Sequence, residues 1–287
     1  MIEVDGLSKT YLVHRKEPGL RGSLKALFVR DALEKHALRS TTLRVGAGEI
    51  VGLVGANGAG KTTLVKMLAG IMNPSGGTAR VLGHVPWERD NAFRRQIALI
   101  MGQKAQLWWD LPAADCFRLL KEIYAIPDAR YRETLDFFVT TLGVEKEMKV
   151  QIRRLSLGER MKMELIAALL HQPRVVFLDE PTIGLDLGAQ NAIRAFLRDY
   201  QRTHRPAVIL TSHYMDDIEQ LCERIIILRS GSIVYDGGLR SLLDKHARFR
   251  VLKLQLSPES AASWDDTAAQ GLQAVKARLI SQAEVSP

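Results

Sequence analysis

Apolar residues recur along this 287-residue chain in two alternating periods. Ile50-Val-Gly-Leu-Val54, Val175-Val-Phe-Leu178 and Ala207-Val-Ile-Leu-Thr211 are short, nearly unbroken apolar runs, the pattern of strands buried on both faces. Helical spacing occupies Lys61 to Ala69, stopped by Gly70, then 187–203 and Asp216 to Cys222. Residues 1–13 open with a short alternating strand. Residues 71–103 read as short strands and turns ending in Ile97-Ala-Leu-Ile-Met-Gly-Gln103, and 104–172 as mostly helical. The stretch from Arg224 to Tyr235 reads as a hairpin turning at Ser230-Gly231. Buried strands alternating with helices predict an α/β sheet covered on both faces. Beyond residue 240 the character changes: Phe249 to Leu256 alternates like a strand, and Thr267 to Ala283 forms a helix. No internal repeat or low-complexity tract is present.

One segment is charged out of proportion. Between 14 and 39, Arg15, Lys16, Arg21, Lys25, Arg30, Lys35 and Arg39 face only Glu17, Asp31 and Glu34. Leu20, Leu24, Leu27 and Phe28 fall at helical spacing, which predicts a short basic amphipathic helix.

Composition narrows the class. Hydrophobic residues make up 46% and charged residues 25%, ordinary for a globular protein and against disorder along the whole chain. The net charge of +8 suits an anionic partner: nucleotide, nucleic acid or an anionic membrane surface. Cys116 and Cys222 form no CxxC pair and no metal spacing, so a cytosolic setting is expected. No apolar run approaches the ~18–20 residues that span a bilayer. The opening Met-Ile-Glu-Val-Asp-Gly does not read as a signal peptide, so the chain is expected not to cross a membrane.

Candidate chemistry starts after the first buried strand. Gly55-Ala-Asn57-Gly58-Ala59-Gly60-Lys61-Thr62 fits G-x-x-x-x-G-K-[ST], with an apolar strand before it and a helix after it. Glycines let the backbone wrap phosphates and aim N–H groups at them; lysine brings a point charge to the β and γ phosphates; the Thr62 hydroxyl suits Mg²⁺. Thr63 is a further phosphate donor. Asp179 and Glu180 end the second apolar strand, where open α/β sheets bind ligands. One carboxylate there can hold Mg²⁺ and the next can take a proton from an attacking water. His213 and Gln103 end two other strands and would project near the same loop if those strands are parallel neighbours. A second anion-ready element lies at Arg153-Arg-Leu-Ser156-Leu-Gly158-Glu159: Ser156 is a good N-cap, Glu159 completes a capping box, and a helix N-terminus presents free N–H groups.

In combination these motifs resemble the ATP-binding subunits of ABC transporters over roughly residues 1–240. The resemblance rests on the loop 55–62, Gln103, Leu155-Ser-Leu-Gly-Glu159, 175–180, Gly184-Leu185-Asp186 and His213. It implies a P-loop NTPase with a RecA-like core sheet, a small antiparallel β subdomain, a helical signature subdomain, and a short α+β extension over 241–287. It also implies ATP and Mg²⁺, with Glu180 as general base, Asp179 as Mg²⁺ partner, Gln103 at Mg²⁺ and water, and His213 at the γ-phosphate. Tyr11 matches the adenine-stacking aromatic; a plain surface tyrosine is the other reading. Two copies would sandwich nucleotide head to tail, Ser156 and Gly158 of one closing the site of the other, with Asp186 bridging. Leu157 and Glu159 stand where the commonest form has glycine and glutamine.

The stretches Gln106-Leu-Trp-Trp-Asp-Leu-Pro112 and Glu180-Pro-Thr-Ile-Gly-Leu-Asp186 resemble drug and polysaccharide exporter ATPases that pair with separate membrane permeases. Such a subunit sits at the cytoplasmic face of the cell membrane. Trp108 and Trp109 then either dock the permease or fill the helical subdomain's core. The basic stretch 14–39 either meets anionic lipid or substrate, or merely caps the adjacent sheet. A nucleic-acid-associated ATPase of the same superfamily is the alternative. Long coiled coils, zinc cysteines and a tandem cassette, which such relatives usually carry, are not visible in this sequence, so no nucleic-acid partner is expected.

Overall fold

The computed structural model describes residues 1–14, 32–102 and 104–246. The chain divides into two units after Leu239. In the first unit, β1 (Ile2–His14) pairs antiparallel with β2 (Ala32–Val45) on one side and β4 (Gly76–Val81) on the other. The main sheet holds β3 (Ile50–Val54), β5 (Ile97–Met101), β6 (Val175–Asp179), β7 (Ala207–Thr211), β8 (Arg224–Arg229) and β9 (Ser232–Gly238). Its order is β5-β6-β7-β3-β8-β9, parallel except for the closing hairpin strand β9.

Every residue of β6 and β7 is buried, because helices cover both faces of a parallel sheet. Burial of each such Val, Leu, Ile or Phe side chain stabilises the fold by roughly 1.5–3 kcal/mol. The connections are α1 (Lys61–Leu68), a single turn α2 (Asn91–Arg94), α3 (Ala113–Tyr124), α4 (Asp128–Leu142), α5 (Leu157–Leu169), α6 (Leu187–His204) and α7 (Met215–Leu221). Phe138 of α4 meets Phe196 of α6 edge-on at 5.2 Å and Tyr200 at 5.8 Å, fastening the helical region to the sheet's covering layer. A last helix, α8, spans Leu239–His246.

Strand register decides which side chains gather at one end of the sheet. Met101 lies opposite Asp179, Asp179 opposite Thr211, and Thr211 opposite Leu53. The C-terminal ends of four parallel strands therefore finish level, at one edge of the sheet. The hairpin turn clamps this edge from the side: Arg39 N–H donates to the Gly231 carbonyl at 2.7 Å, and Gly231 N–H to the Ala59 carbonyl at 3.1 Å.

Two expectations change here. The first strand is thirteen residues long, not short. The basic interlude does not continue as helix through residue 39, because Ala32 to Arg39 belong to β2. The end of this ribbon is held by its backbone ladder, Thr10–His14 against Ala32–His36, rather than by a buried face. Leu33, Glu34, Lys35 and His36 are all exposed there, so no clean two-residue period marks the strand. The predicted helix at 20–28, and the strand and helix predicted beyond Phe249, lie outside the described residues.

Candidate active site

The loop from Gly55 to Gly60 leaves β3 and enters α1. Gly60 caps that helix with φ +110, and a Cβ there would lie 2.5 Å from the Ala37 carbonyl oxygen, so only glycine fits the turn. Lys61 is buried, and its ammonium curls back onto the Gly55 and Ala56 carbonyls at 2.5 and 3.2 Å. An open cleft of ≈ 640 Å³ lies over the loop. Asn57 to Thr63 form one wall, and Tyr11, Lys35 and Glu180 stand around it. The Tyr11 ring carries Lys9 at 5.4 Å from its centroid, while its hydroxyl donates to Met72 Sδ at 3.0 Å.

Beside the loop, Thr62 Oγ1 donates to Asp179 Oδ1 at 3.2 Å. Thr211 Oγ1 donates to the same oxygen at 2.6 Å. A hydroxyl and a carboxylate in contact, next to a lysine and a ring of N–H groups, are hard oxygen donors that suit Mg²⁺ shared with phosphate. Among the described residues no group of three or more His, Cys, Asp or Glu side chains forms a metal cage, so the ion would have to borrow ligands from the nucleotide.

Glu180 follows with φ +57, a left-handed conformation that costs a non-glycine residue of order 1 kcal/mol. Thr211 fastens it: Glu180 N–H donates to the Thr211 carbonyl at 3.0 Å and to its hydroxyl at 3.1 Å. The kink points the carboxylate at His213, whose Nε2 lies 2.7 Å from Glu180 Oε1. A carboxylate paired with an imidazole above a phosphate loop can accept a proton from water and steer a departing phosphoryl group. Gly102 lets the strands close up, since a Cβ there would collide with the Glu180 carbonyl oxygen.

Sequence reasoning missed the scaffold behind this pair. Asp217 is fully buried; its Oδ2 accepts from Thr182 Oγ1 and Ser212 Oγ, both at 2.5 Å, and its Oδ1 lies 3.6 Å from Arg194 Nε. Thr182 is two residues past Glu180 and Ser212 is one before His213, so this carboxylate holds both catalytic-loop exits together. Nothing in the local pattern of Asp216-Asp217 distinguishes the buried acid from its exposed neighbour. Thr211 was legible only as a strand end; its two roles depend on register.

Ser156, Gly158 and Asp186 do not line this cleft. They assemble at a separate place, where the N-termini of α5 and α6 meet. Ser156 caps α5 in a complete capping box, its hydroxyl 2.8 Å from Glu159 Oε2 and its N–H 2.9 Å from the same oxygen. These bonds from Ser156 hold the Glu159 carboxyl below the usual range. Asp186 caps α6 by accepting from Ala189 N–H at 2.9 Å. A Cβ on Gly158 would lie 3.0 Å from Ala189 Cβ, so the two helix starts are in contact; Leu157 lies over Gly184. Ser156 and Leu157 remain exposed.

Gln103 lies outside the described residues. Gln106, the neighbouring glutamine, spends its side chain on the Leu99 carbonyl at 2.9 Å. Trp108 and Trp109 are 43% and 51% exposed, which removes the reading that they fill the helical subdomain's core. Arg160 of α5 sits 5.5 Å from the Trp109 ring centroid.

Known proteins share this arrangement. The ABC transporter family profile matches residues 38–183, half of the chain. The ABC transporter ATP-binding protein NatA of Bacillus subtilis is 29% identical over 208 residues, 72% of this chain and 84% of that one. The daunorubicin/doxorubicin resistance ATP-binding protein DrrA of Streptomyces peucetius is 32% identical over 224 residues, 77% of this chain and 66% of that one. Other relatives are far longer, and the chain spans only 27% of an ABC transporter A family member from Dictyostelium discoideum. A solved ATP-binding subunit of an ABC transporter superposes with TM-score 0.71 at 25% identity, over 86% of this chain and 93% of that one. A phosphate loop, a carboxylate–imidazole pair and an outlying capped serine on this sheet, together with these matches, place the chain in the ABC transporter family as an ATP-binding, ATP-hydrolysing subunit.

Proposed function

We propose that the chain powers export of a substrate through separate membrane permease subunits, by closing as a head-to-tail dimer around two nucleotides. Within one chain, Ser156 and Gly158 stand apart from the cleft over Lys61, yet both are built for phosphate. A second copy brings them together. That separation is the observation that carries the reading.

Each residue then has a part. The loop 55–60 and Lys61 hold the phosphates, Thr63 adds a donor, and Tyr11 stacks on the base. Thr62, Asp179 and Gln103 surround Mg²⁺, which, when bound, neutralises charge on the β and γ phosphates. Glu180 takes the proton of the attacking water, and His213 orients it and contacts the γ-phosphate. Ser156 and Gly158 of the other copy close the terminal phosphoryl group, with Asp186 at the seam. ATP favours the closed dimer, and hydrolysis removes the bridging charge.

Trp108 and Trp109 are the docking point for the permease, which keeps the chain at the cytoplasmic face of the membrane. The relatives' names support export: DrrA is a drug-resistance ATP-binding protein, and a Nod factor export ATP-binding protein from Rhizobium is 28% identical over 77% of this chain. Among the described residues no helix is long and apolar enough to cross a membrane, so the path must come from other subunits.

Two measurements test this. Turnover per chain is expected to rise with protein concentration until dimers saturate; a constant rate per chain down to a strict monomer contradicts the dimer. In the host cell, the chain is expected to sediment with membranes, and Trp108→Ala with Trp109→Ala to release it. Unchanged sedimentation of the double variant contradicts docking at the tryptophans.

A further inference from the structure

Glu164 is a carboxylate buried in the middle of α5, 5% exposed, with no role in the site described above. It is not a surface helix residue turned inward by chance. Its Oε1 accepts two backbone N–H groups, from Gln106 at 2.8 Å and Leu107 at 3.2 Å. These residues are 58 and 57 positions away in sequence. They open the exposed Trp108–Trp109 loop and lie three and four residues after Gln103. The grip continues along the loop. Arg160, one turn before Glu164, covers Trp109. Arg153 N–H donates to the Trp109 carbonyl and Ile152 N–H to the Leu111 carbonyl, both at 3.1 Å. The loop is therefore laced, residue by residue, to the chain that leads into α5 and to α5 itself.

A charged acceptor is well chosen for this task. Two adjacent amides converge on one oxygen, and a charge-assisted bond is roughly twice as strong as a neutral one. An apolar side chain at this position would leave both N–H groups without a partner.

We propose that Glu164 is a positioning residue that locks the Gln103–Trp109 loop to the helix carrying Ser156, so that loop and helix N-terminus move as one body. Displacement of the tryptophans then shifts Ser156, and closure on nucleotide at Ser156 shifts the tryptophans. The link is direct, because α5 is one unbroken helix from its Ser156 cap to Leu169. This rests on Ser156 acting on the other copy's phosphate, and the experiment separates the two claims.

The full-length protein is compared as wild type, Glu164→Ala and Glu164→Gln. Amide hydrogen exchange reads the anchor directly and requires no dimer. The Gln106 and Leu107 amides are expected to be protected in wild type and in Glu164→Gln, whose side-chain carbonyl still accepts, and to exchange about tenfold faster or more in Glu164→Ala. Turnover reads the consequence: Glu164→Ala is expected to lose about tenfold in kcat with KM for ATP within about twofold, and Glu164→Gln to recover most of it. If Glu164→Ala does not fold, Glu164→Met, which fills the space without an acceptor, takes its place. Equal protection in all variants, or equal kcat in Glu164→Ala and wild type, overturns the proposal. Faster exchange with a kcat loss that is the same for monomer and dimer leaves the anchor standing and sinks the dimer reading instead.

Discussion

At the scale of single residues, the site depends on where charge is placed. Glu159 occupies the hydroxyl and N–H of Ser156, the groups that must meet a phosphate in the closed dimer. The incoming phosphoryl group therefore competes with a carboxylate held within bonding distance. Glu159→Gln keeps the capping geometry and removes the charge. It is expected to strengthen ATP-dependent association by a few-fold, of order 1 kcal/mol for an exposed charge pair, with a smaller slope against salt. Analytical ultracentrifugation across salt concentrations checks this. An association constant unchanged in the variant removes Glu159 from the phosphate's path. Leu157 has a different effect: it covers Gly184 and so ties the serine's neighbour to the segment before Asp186.

At the scale of elements, the exits of β6 and β7 must hold Glu180 and His213 at 2.7 Å, and the Asp217 carboxylate is what joins them. Asp217→Ala strands two hydroxyls and the buried Arg194 guanidinium. Loss of one partner from a buried charged cluster costs about 3–5 kcal/mol. A fall in Tm of several degrees or more, together with loss of turnover, is the expected result. A variant as stable as wild type would show that the cluster is not needed to hold the exits.

The α5 end of the same layer sets the acid limit. His171 stacks on Tyr124 with ring centroids 3.9 Å apart and bonds the Ile97 carbonyl through Nε2 at 3.0 Å. Its Nδ1 is buried with no partner, and burial pushes the imidazole down to about 4. The folded ring is therefore neutral, whereas the unfolded ring takes up a proton below about 6.5. Between those values the unfolded chain binds more protons, so stability falls as pH drops from about 6.5 towards about 4, by up to ~3 kcal/mol. Stability from this group is flat above pH 6.5. Tm of wild type and His171→Gln, compared at pH 7.5 and 5.0, is expected to show the smaller acid loss in the variant. Equal losses contradict the assignment.

For the whole molecule, the strands Ile50–Val54, Val175–Asp179 and Ala207–Thr211 and the loop before Lys61 were legible because their chemistry is local. A buried parallel strand needs an unbroken apolar run, and a phosphate loop needs glycine and lysine at fixed spacing. The hairpin at Ser230-Gly231 was legible for the same reason, both residues having positive φ. The ribbon over Ala32–Arg39 was not legible, because backbone pairing alone holds it and charge dominates its sequence. Thr211, Asp217 and Glu164 were not legible as site residues either. Their partners are fixed by register and by helix docking, which no short window records. Trp108 and Trp109 had two readings because exposure is decided by how the helices pack, not by the residue type.

The central claim is that one chain completes the other's nucleotide site. The mass of Glu180→Gln in solution with MgATP tests it most directly, because binding without turnover traps whatever complex ATP favours. The expected result is a dimer with ATP, a monomer without it, and a monomer again when Ser156→Arg is added to Glu180→Gln. A Glu180→Gln protein that stays monomeric at saturating ATP, or a dimer indifferent to Ser156→Arg, contradicts the account.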